Sequence, residues 1–460
     1  MPLILPGNVA SATASTTYDV DNSVRFNFAD SPRLHKTPAS DGNRKTFTFS
    51  WWLKRCSFGS YQPIFEAGGN WVDFKNDDTF RVGINATGGS STHRVTNRVF
   101  RDCSAWYHIV VRVDTTQGTA ANRLRIYVNG VEETSMGTSA DVTQDADTDV
   151  NYDSAVQDIL QDGSSRHFDG YAAEIVLLDG TSAAPTEFGE FDEDSPTIWK
   201  PKKVSGLNFG TNGFYLDFKD SANLGNDASG GTDLTEVNLD ATDQTTDTPT
   251  NNFATANPLM SNAEGFAEGN LYVTDRASTD ASYGACSSMG VRKGKWYMEF
   301  YMVSTGASTN LGAMPETSSM TTAGDYQYQT NNFMYRSTNG NALLGNGTPS
   351  PSGGSYGDSY TSDDIISVAL DMDNQDIYFY KNGAIQDSGT AAFTSSDFVD
   401  DTFYFFYQAG YNTGIVEYNF GNPIRTISSG NADANGYGNF EYAVPNGYYA
   451  LCTKNLAEFG

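Results

Sequence analysis

Cysteine and histidine are scarce in this 460-residue chain, with four of each. Cys56, Cys103, Cys286 and Cys452 are scattered without a Cys-x-x-Cys pair, which removes zinc-ribbon and disulfide-framework proteins and fits folding in a reducing compartment. The histidines, His35, His93, His108 and His167, show no metal-ligand spacing such as His-Glu-x-x-His. No apolar run reaches membrane-spanning length, so no helix is expected to cross a bilayer. Positive charge is short as well. Against 56 Asp and Glu stand 28 Lys and Arg, for a net charge of −28, and no basic run exists, which excludes nucleic acid as a partner. The acidic excess reads first as solubility and resistance to self-association, and second as capacity for a divalent cation.

Aromatics and glycine are abundant. They comprise 26 Tyr, 28 Phe and 45 Gly, while charged residues make up only 18%. Strands joined by tight turns draw on that mixture, whereas amphipathic helices need more Glu, Lys and Leu. The expected class is all-β. "FTFSWWLK" puts Phe47, Phe49, Trp51 and Leu53 on one face and Thr48, Ser50, Trp52 and Lys54 on the other, the period of a half-buried strand. "WYHIVVRVD" repeats the pattern with Tyr107, Ile109, Val111 and Val113 inward. "RLRIYVNGVEE" then turns on Asn129-Gly130, and "IYFYKNGAIQDSG" turns on Asn382-Gly383. Asn-Gly is the strongest short hairpin signal, because a type I′ turn needs positive φ at both central residues.

These phrases recur in one order. Each half of the chain has a Trp-Tyr strand, an aspartate-ended strand, an Asn-Gly hairpin and a terminal strand ("NGFYLDF", "NGYYALCT"). The expectation is two tandem antiparallel β-sandwiches of jelly-roll type joined by a polar linker. Residues 1–20 form an extended segment and 21–219 a first sandwich, over which the proline-interrupted "FGEFDEDSPTIWKPKKVSG" lies as a strap. Residues 220–264, rich in Asn, Asp, Thr and Ser, read as the linker, and 265–460 as a second sandwich. "MPLILPGNVASATAST" lacks the positive start of a signal peptide.

"SAWYHIVVRVD" with "NRLRIYVNGVEE" resembles the core of concanavalin A-like (laminin G-like) lectin domains. "KGKWYMEFYM" with "DIISVALDMDNQDIYFYKNGAIQDSG" resembles a SPRY domain, a relative of the same jelly-roll fold. "LPGNVASATA", "FGEFDEDSPTIWKPK", "TDTPTNNFATANPL" and "GYYALCTKNL" together resemble virion proteins of marine tailed bacteriophages. The resemblance implies a non-catalytic tail-fibre or head-fibre protein that binds host surface polysaccharide or lipopolysaccharide. It implies a chain assembled into virions in the host cytoplasm, with residues 1–20 docking onto another virion protein. Weak sites become useful when multiplied, so a homotrimer is expected. A structural decoration protein and a polysaccharide-degrading enzyme are the alternatives.

Sugar recognition needs aromatic faces for the pyranose ring and Asn, Asp or Tyr groups for its hydroxyls. Trp52 is a candidate, since alternation turns it away from the Trp51 face. The region 323–364 mixes Tyr, Ser, Gly and Asn as evolved binding loops do, making Tyr326, Tyr328, Tyr335, Tyr356 and Tyr360 the other candidates. "DADTDVNYD" offers Asp145, Asp147, Asp149 and Asp153 at alternate positions as oxygen ligands for calcium, with a solvated acidic loop as the other reading. Concanavalin-like glucanases share a Glu-x-Asp-x-x-Glu strand. The nearest run here, "EFDED" at 190–194, sits in the strap, so no catalytic residues and no required cofactor are expected.

Overall fold

A computed structural model of the chain describes residues 18–163, 165–277, 282–318, 331–345 and 356–460. They divide into two units, the first ending at Asn251 and the second beginning at Asn252.

In the first unit two eight-stranded antiparallel sheets pack face to face. The first sheet runs in the order Val131–Glu132, Leu124–Val128, Trp106–Asp114, Thr46–Arg55, Gly170–Asp179, Ser23–Phe26 and Gln244–Thr245, with Phe214–Leu216 also pairing onto Gly170–Asp179. The second runs Met136–Ser139, Arg94–Val99, Thr79–Gly83, Asn70–Phe74, Gln62–Ala67, Gln157–Ile159, Arg33–Lys36 and Thr235–Val237. Phe47, Phe49, Trp51 and Leu53 point into the core as the alternation requires. Phe49 meets Phe65 of the opposite sheet at a ring separation of 4.4 Å.

The outer face of Thr46–Arg55 is not half-buried as its alternation suggested. Thr48, Ser50, Trp52 and Lys54 are all buried. The strap covers them: Trp199 stacks near His108, and Trp52, Trp106, Tyr171 and Ala173 form a second apolar layer with Val20.

Residues 220–251 are part of this unit, which corrects the linker reading of 220–264. Thr235–Val237 pairs with Arg33–Lys36, and Gln244–Thr245 pairs with Ser23–Phe26. Asp247 reaches Lys54 at 2.7 Å with both side chains fully buried, while Trp106 Nε1 donates to its other oxygen at 3.1 Å. A polar composition conceals this because few residues do the anchoring, among them Leu224, Leu234 and Asp247. Residues 1–17 lie outside the described residues. Tyr18 and Val20, counted with the docking segment, belong to the sandwich: the Val20 amide donates to Thr250 Oγ1 at 3.0 Å.

The second unit has a six-stranded sheet, Ala256–Ser261, Tyr283–Ser287, Tyr404–Tyr411, Ser308–Pro315, Phe333–Arg336 and Ala342–Leu344. Its partner sheet runs Gly265–Ala267, Tyr272–Thr274, Ile415–Asn419, Lys295–Ser304, Ile365–Asp371, Asp376–Lys381 and Ala384–Ile385. The terminal strand Tyr449–Ala450 joins Lys295–Ser304 in parallel, and a short helix, Thr453–Phe459, follows it.

The two Asn-Gly hairpins are built alike. Asn129 and Gly130 have φ of 49° and 77°, and Asn382 and Gly383 have 48° and 78°. Asn129 donates its amide to the His108 carbonyl and accepts from the His108 amide on Oδ1, both at 2.8 Å; Asn382 does the same with Ile365, again at 2.8 Å. The asparagine thus adds one more rung to the strand before it. A Cβ on Gly130 would lie 2.3 Å from the Trp199 ring, and one on Gly383 would lie 2.5 Å from Tyr442. An aromatic from later in the chain closes over each turn.

Candidate functional site

The expected glycan residues are core residues wherever the structure describes them. Trp52 stacks on His108 at 4.6 Å beneath the strap. Tyr335, Tyr356 and Tyr360 fill the interior of the second unit around Phe379. Their hydroxyls are satisfied by backbone: Tyr356 donates to the Thr390 carbonyl at 3.0 Å, Tyr360 shares its one proton between the carbonyls of Tyr335 and Thr309 at 2.7 and 2.9 Å, and Tyr335 donates to that of Asp358. Burial pushes all three phenols well above their ordinary value. Tyr326 and Tyr328 lie outside the described residues.

The calcium reading fares no better. The acidic loop turns instead of running extended, so alternate positions do not share a side. Asp145 and Asp153 are exposed, Asp147 pairs with Lys45 at 3.7 Å, and Asp149 pairs with Arg44 at 3.8 Å while accepting from the Gly69 amide. Among the described residues no three His, Cys, Asp or Glu side chains converge as a metal site.

One catalytic-looking pair is also structural. Ser50 Oγ lies 2.8 Å from His108 Nε2. An indole N–H can only donate, and Trp199 Nε1 donates to His108 Nδ1 at 2.9 Å. The ring proton therefore sits on Nε2 and points at the serine, so the histidine cannot take the serine proton. Burial pushes the imidazole down to about 3. In the second unit, the Glu299 carboxylate is occupied by the amides of Glu441 and Tyr442 at 2.9 and 2.8 Å. The hollow beside it, where Arg425 lies over Tyr301, leaves about 10 Å³, room for one water.

The open outer face of the first unit's second sheet is different. Directly opposed residues of an antiparallel sheet point to the same side. Pairings across six strands therefore set Gly83, Trp71, Glu66, Asp158, His35 and Thr235 in one lateral row. Their sequence neighbours Val72, Phe65, Ile159 and Leu34 fill the core, which turns the row outward. Trp71 is held flat because its neighbour has no side chain: a Cβ on Gly83 would lie 2.6 Å from the indole. Beside the row, Asp73 faces Arg81, whose Nε donates to it at 2.9 Å. The Arg81 guanidinium lies 5.1 Å from the Tyr61 ring centroid and 5.5 Å from that of Trp71, and Arg166 lies 4.8 Å from Tyr61. Arg33 pairs with Asp158 at 3.1 Å. Burial, then the neighbouring Asp158, Asp162 and Asp149, push the Glu66 carboxyl up to about 7.

Half-exposed Trp and Tyr rings beside ordered carboxylates and guanidiniums make a platform for a flat, hydroxylated ligand. Sequence reading missed it. The alternation of "NWVDF" already put Trp71 and Asp73 opposite Val72 and Phe74, yet the cross-strand row depends on pairings that only the fold supplies.

Residues 32–183 match the family model of the concanavalin A-like lectin/glucanases superfamily, and residues 293–423 match that of the SPRY domain. The chain carries a concanavalin A-like domain followed by a SPRY domain. The row lies on the concanavalin A-like domain, apart from Thr235, whose strand extends that domain's second sheet beyond the matched residues. No curated protein matches the sequence. Among solved structures, the SPRY domain of human HERC1 is similar at 20% identity and a TM-score of 0.28, covering 35% of this chain and 96% of that one. A Bacteroides ovatus protein described as carbohydrate-binding is similar at 17% identity and a TM-score of 0.36, covering 49% of this chain and 62% of its own. A heptameric SAP-like pentraxin from Limulus polyphemus is similar at 16% identity and 0.28, covering 36% and 80%. These are likenesses of fold, and none is a guide to what this chain binds.

Proposed function

We propose that the concanavalin A-like domain is a non-catalytic glycan-binding module whose site is the open face carrying Trp71, Glu66, Asp158 and His35. The observation that carries this reading is Trp71 laid flat across Gly83 in register with a row of polar side chains. A half-exposed indole fixed in that way offers its face to a pyranose ring, and the adjoining charged groups offer partners for hydroxyls. Within this proposal, the sequence phrases shared with marine phage virion proteins support a place on a virion appendage. Host surface polysaccharide or lipopolysaccharide is then the ligand, and a homotrimer multiplies weak sites into useful attachment.

A glycan array probed with the intact protein and with Trp71→Ala tests the reading. Loss of a stacking ring is expected to weaken binding by about tenfold. An intact protein that binds no glycan, or a variant that binds as well as the parent, refutes it. Release of reducing ends from a bound polysaccharide, abolished by Glu66→Gln, would replace binding by cleavage.

A further inference from the structure

Charge bookkeeping across the platform leaves one group over. Asp73 is held by Arg81, Asp158 by Arg33 at 3.1 Å, Asp162 by Arg166 at 3.3 Å, and Asp149 by Arg44 at 3.8 Å. Glu66 is half-buried, and no hydrogen bond or ion pair engages its carboxylate among the described residues. It stands in the middle of the row, directly opposite Trp71 on one side and Asp158 on the other.

Asp158 is 4% exposed and uses Oδ1 for its guanidinium, while its Oδ2 reaches toward the same gap as Glu66. That gap lies at Gly163. A Cβ there would come 3.4 Å from Glu66 Oε2 and 3.6 Å from Asp158 Oδ2, at a φ of 71° that favours glycine. The bare backbone keeps any side chain at 163 from packing onto either oxygen.

We infer that the platform selects glycans bearing a free protonated amine, with the sugar ring on Trp71 and its ammonium on Glu66 beside Asp158. The inference rests on the glycan-binding reading and names the ligand class. With Glu66 counted, five carboxylates stand against four guanidiniums at this face, and every one of those guanidiniums is engaged, so an anionic sugar meets repulsion and a neutral one leaves Glu66 unpaired. An ammonium supplies the missing charge, makes charge-assisted hydrogen bonds to two carboxylates, and lies near an indole face that also favours cations. Burial is the main cause that raises the Glu66 carboxyl, and the field of Asp158, Asp162 and Asp149 that adds to it favours a cation placed against the carboxylate.

Calorimetric titration of the full chain at low salt tests this with three ligands of equal length: a glucosamine oligomer with free amines, its N-acetylated counterpart, and a neutral glucose oligomer. The free-amine oligomer is expected to bind about tenfold or more tighter than the other two. Glu66→Gln should erase that preference by bringing the free-amine oligomer down to the affinity of the other two, and Trp71→Ala should weaken all three. Equal affinities for the three ligands, still sensitive to Trp71→Ala, overturn the amine inference and leave the glycan site standing. A preference that survives Glu66→Gln overturns it too. Titrations in which no oligomer binds, together with an empty glycan array, bring down both.

Discussion

Replacing Asp247 by Asn should destabilise the concanavalin A-like domain selectively. Asp247 lies in a stretch whose composition suggests a tether, yet its carboxylate sits 2.7 Å from Lys54 Nζ with neither side chain exposed. The same carboxylate accepts from Trp106 Nε1 at 3.1 Å, and the Lys54 ammonium lies 5.3 Å from the Tyr171 ring centroid. Asparagine keeps the shape and the acceptor but removes the negative charge that lies 2.7 Å from the buried lysine ammonium. Breaking a buried pair from one side costs about 3–5 kcal/mol. For a domain of this size that corresponds to a fall in melting temperature of roughly 6–20 °C. Calorimetry of the whole chain reads it, with the SPRY domain's transition as internal reference. The double variant Lys54→Met, Asp247→Leu should recover most of the loss, because apolar residues of similar volume replace buried pairs at little cost. A single variant within about 1 kcal/mol of the parent, or a double variant worse than the single, would refute the claim that this pair fastens residues 244–251 to the sheet.

Two further predictions concern the SPRY domain. Gly383→Ala places a Cβ against the Tyr442 ring at a φ of 78° and should cost that domain about 1–3 kcal/mol, read as a lower urea midpoint with the first domain's unchanged. Burial pushes the Asp275 carboxyl up to about 8; Gln408 Nε2 donates to one oxygen, and the other, packed against Gly410 and Gly414, has no hydrogen-bond partner among the described residues. The folded state keeps a proton that the unfolded chain releases near pH 4, so stability must fall as pH rises from about 4 to 8. Asp275→Asn should flatten that dependence, and an unchanged slope between pH 5 and 8 in denaturation midpoints would contradict the assignment.

The hairpins were legible in the sequence because their chemistry is local: Asn129-Gly130 and Asn382-Gly383 carry turn, register and strand period within a dozen residues. The strap was legible too, as prolines inside an otherwise aromatic stretch. What failed was inference from composition to exposure. Alternation gives Trp52 a face but cannot say that Trp199 will cover it, since that depends on a segment about 150 residues on. Tyr335, Tyr356 and Tyr360 sit in polar company along the chain, and each finds its hydroxyl a backbone carbonyl across the sandwich, which makes a tyrosine as good a core residue as phenylalanine. The Glu66–Asp158 pairing joins positions 92 residues apart, and nothing local announces it.

The first domain treats its two outer faces in opposite ways, and the contrast bears on function. One face is roofed: the strap, Val20 and residues 244–251 bury Ser50, Trp52, Lys54 and His108, and the polar atoms of Ser50, Lys54 and His108 engage one another, Asp247 and Trp199 of the strap. Those groups are spent on holding the roof. The other face keeps a tryptophan and a tyrosine at its surface, fixes the guanidiniums near them with carboxylates, and leaves Glu66 without a counter-ion. A face selected only for solvation would place flexible Thr, Lys and Glu at such positions, because an ordered half-exposed indole gives up apolar burial that a covered one would gain. Gly83 under Trp71 and Gly163 beside Glu66 preserve the flat ring and the open carboxylate at a conformational-entropy cost to the chain. Both costs fall on one face, at the place where a ligand would recover them.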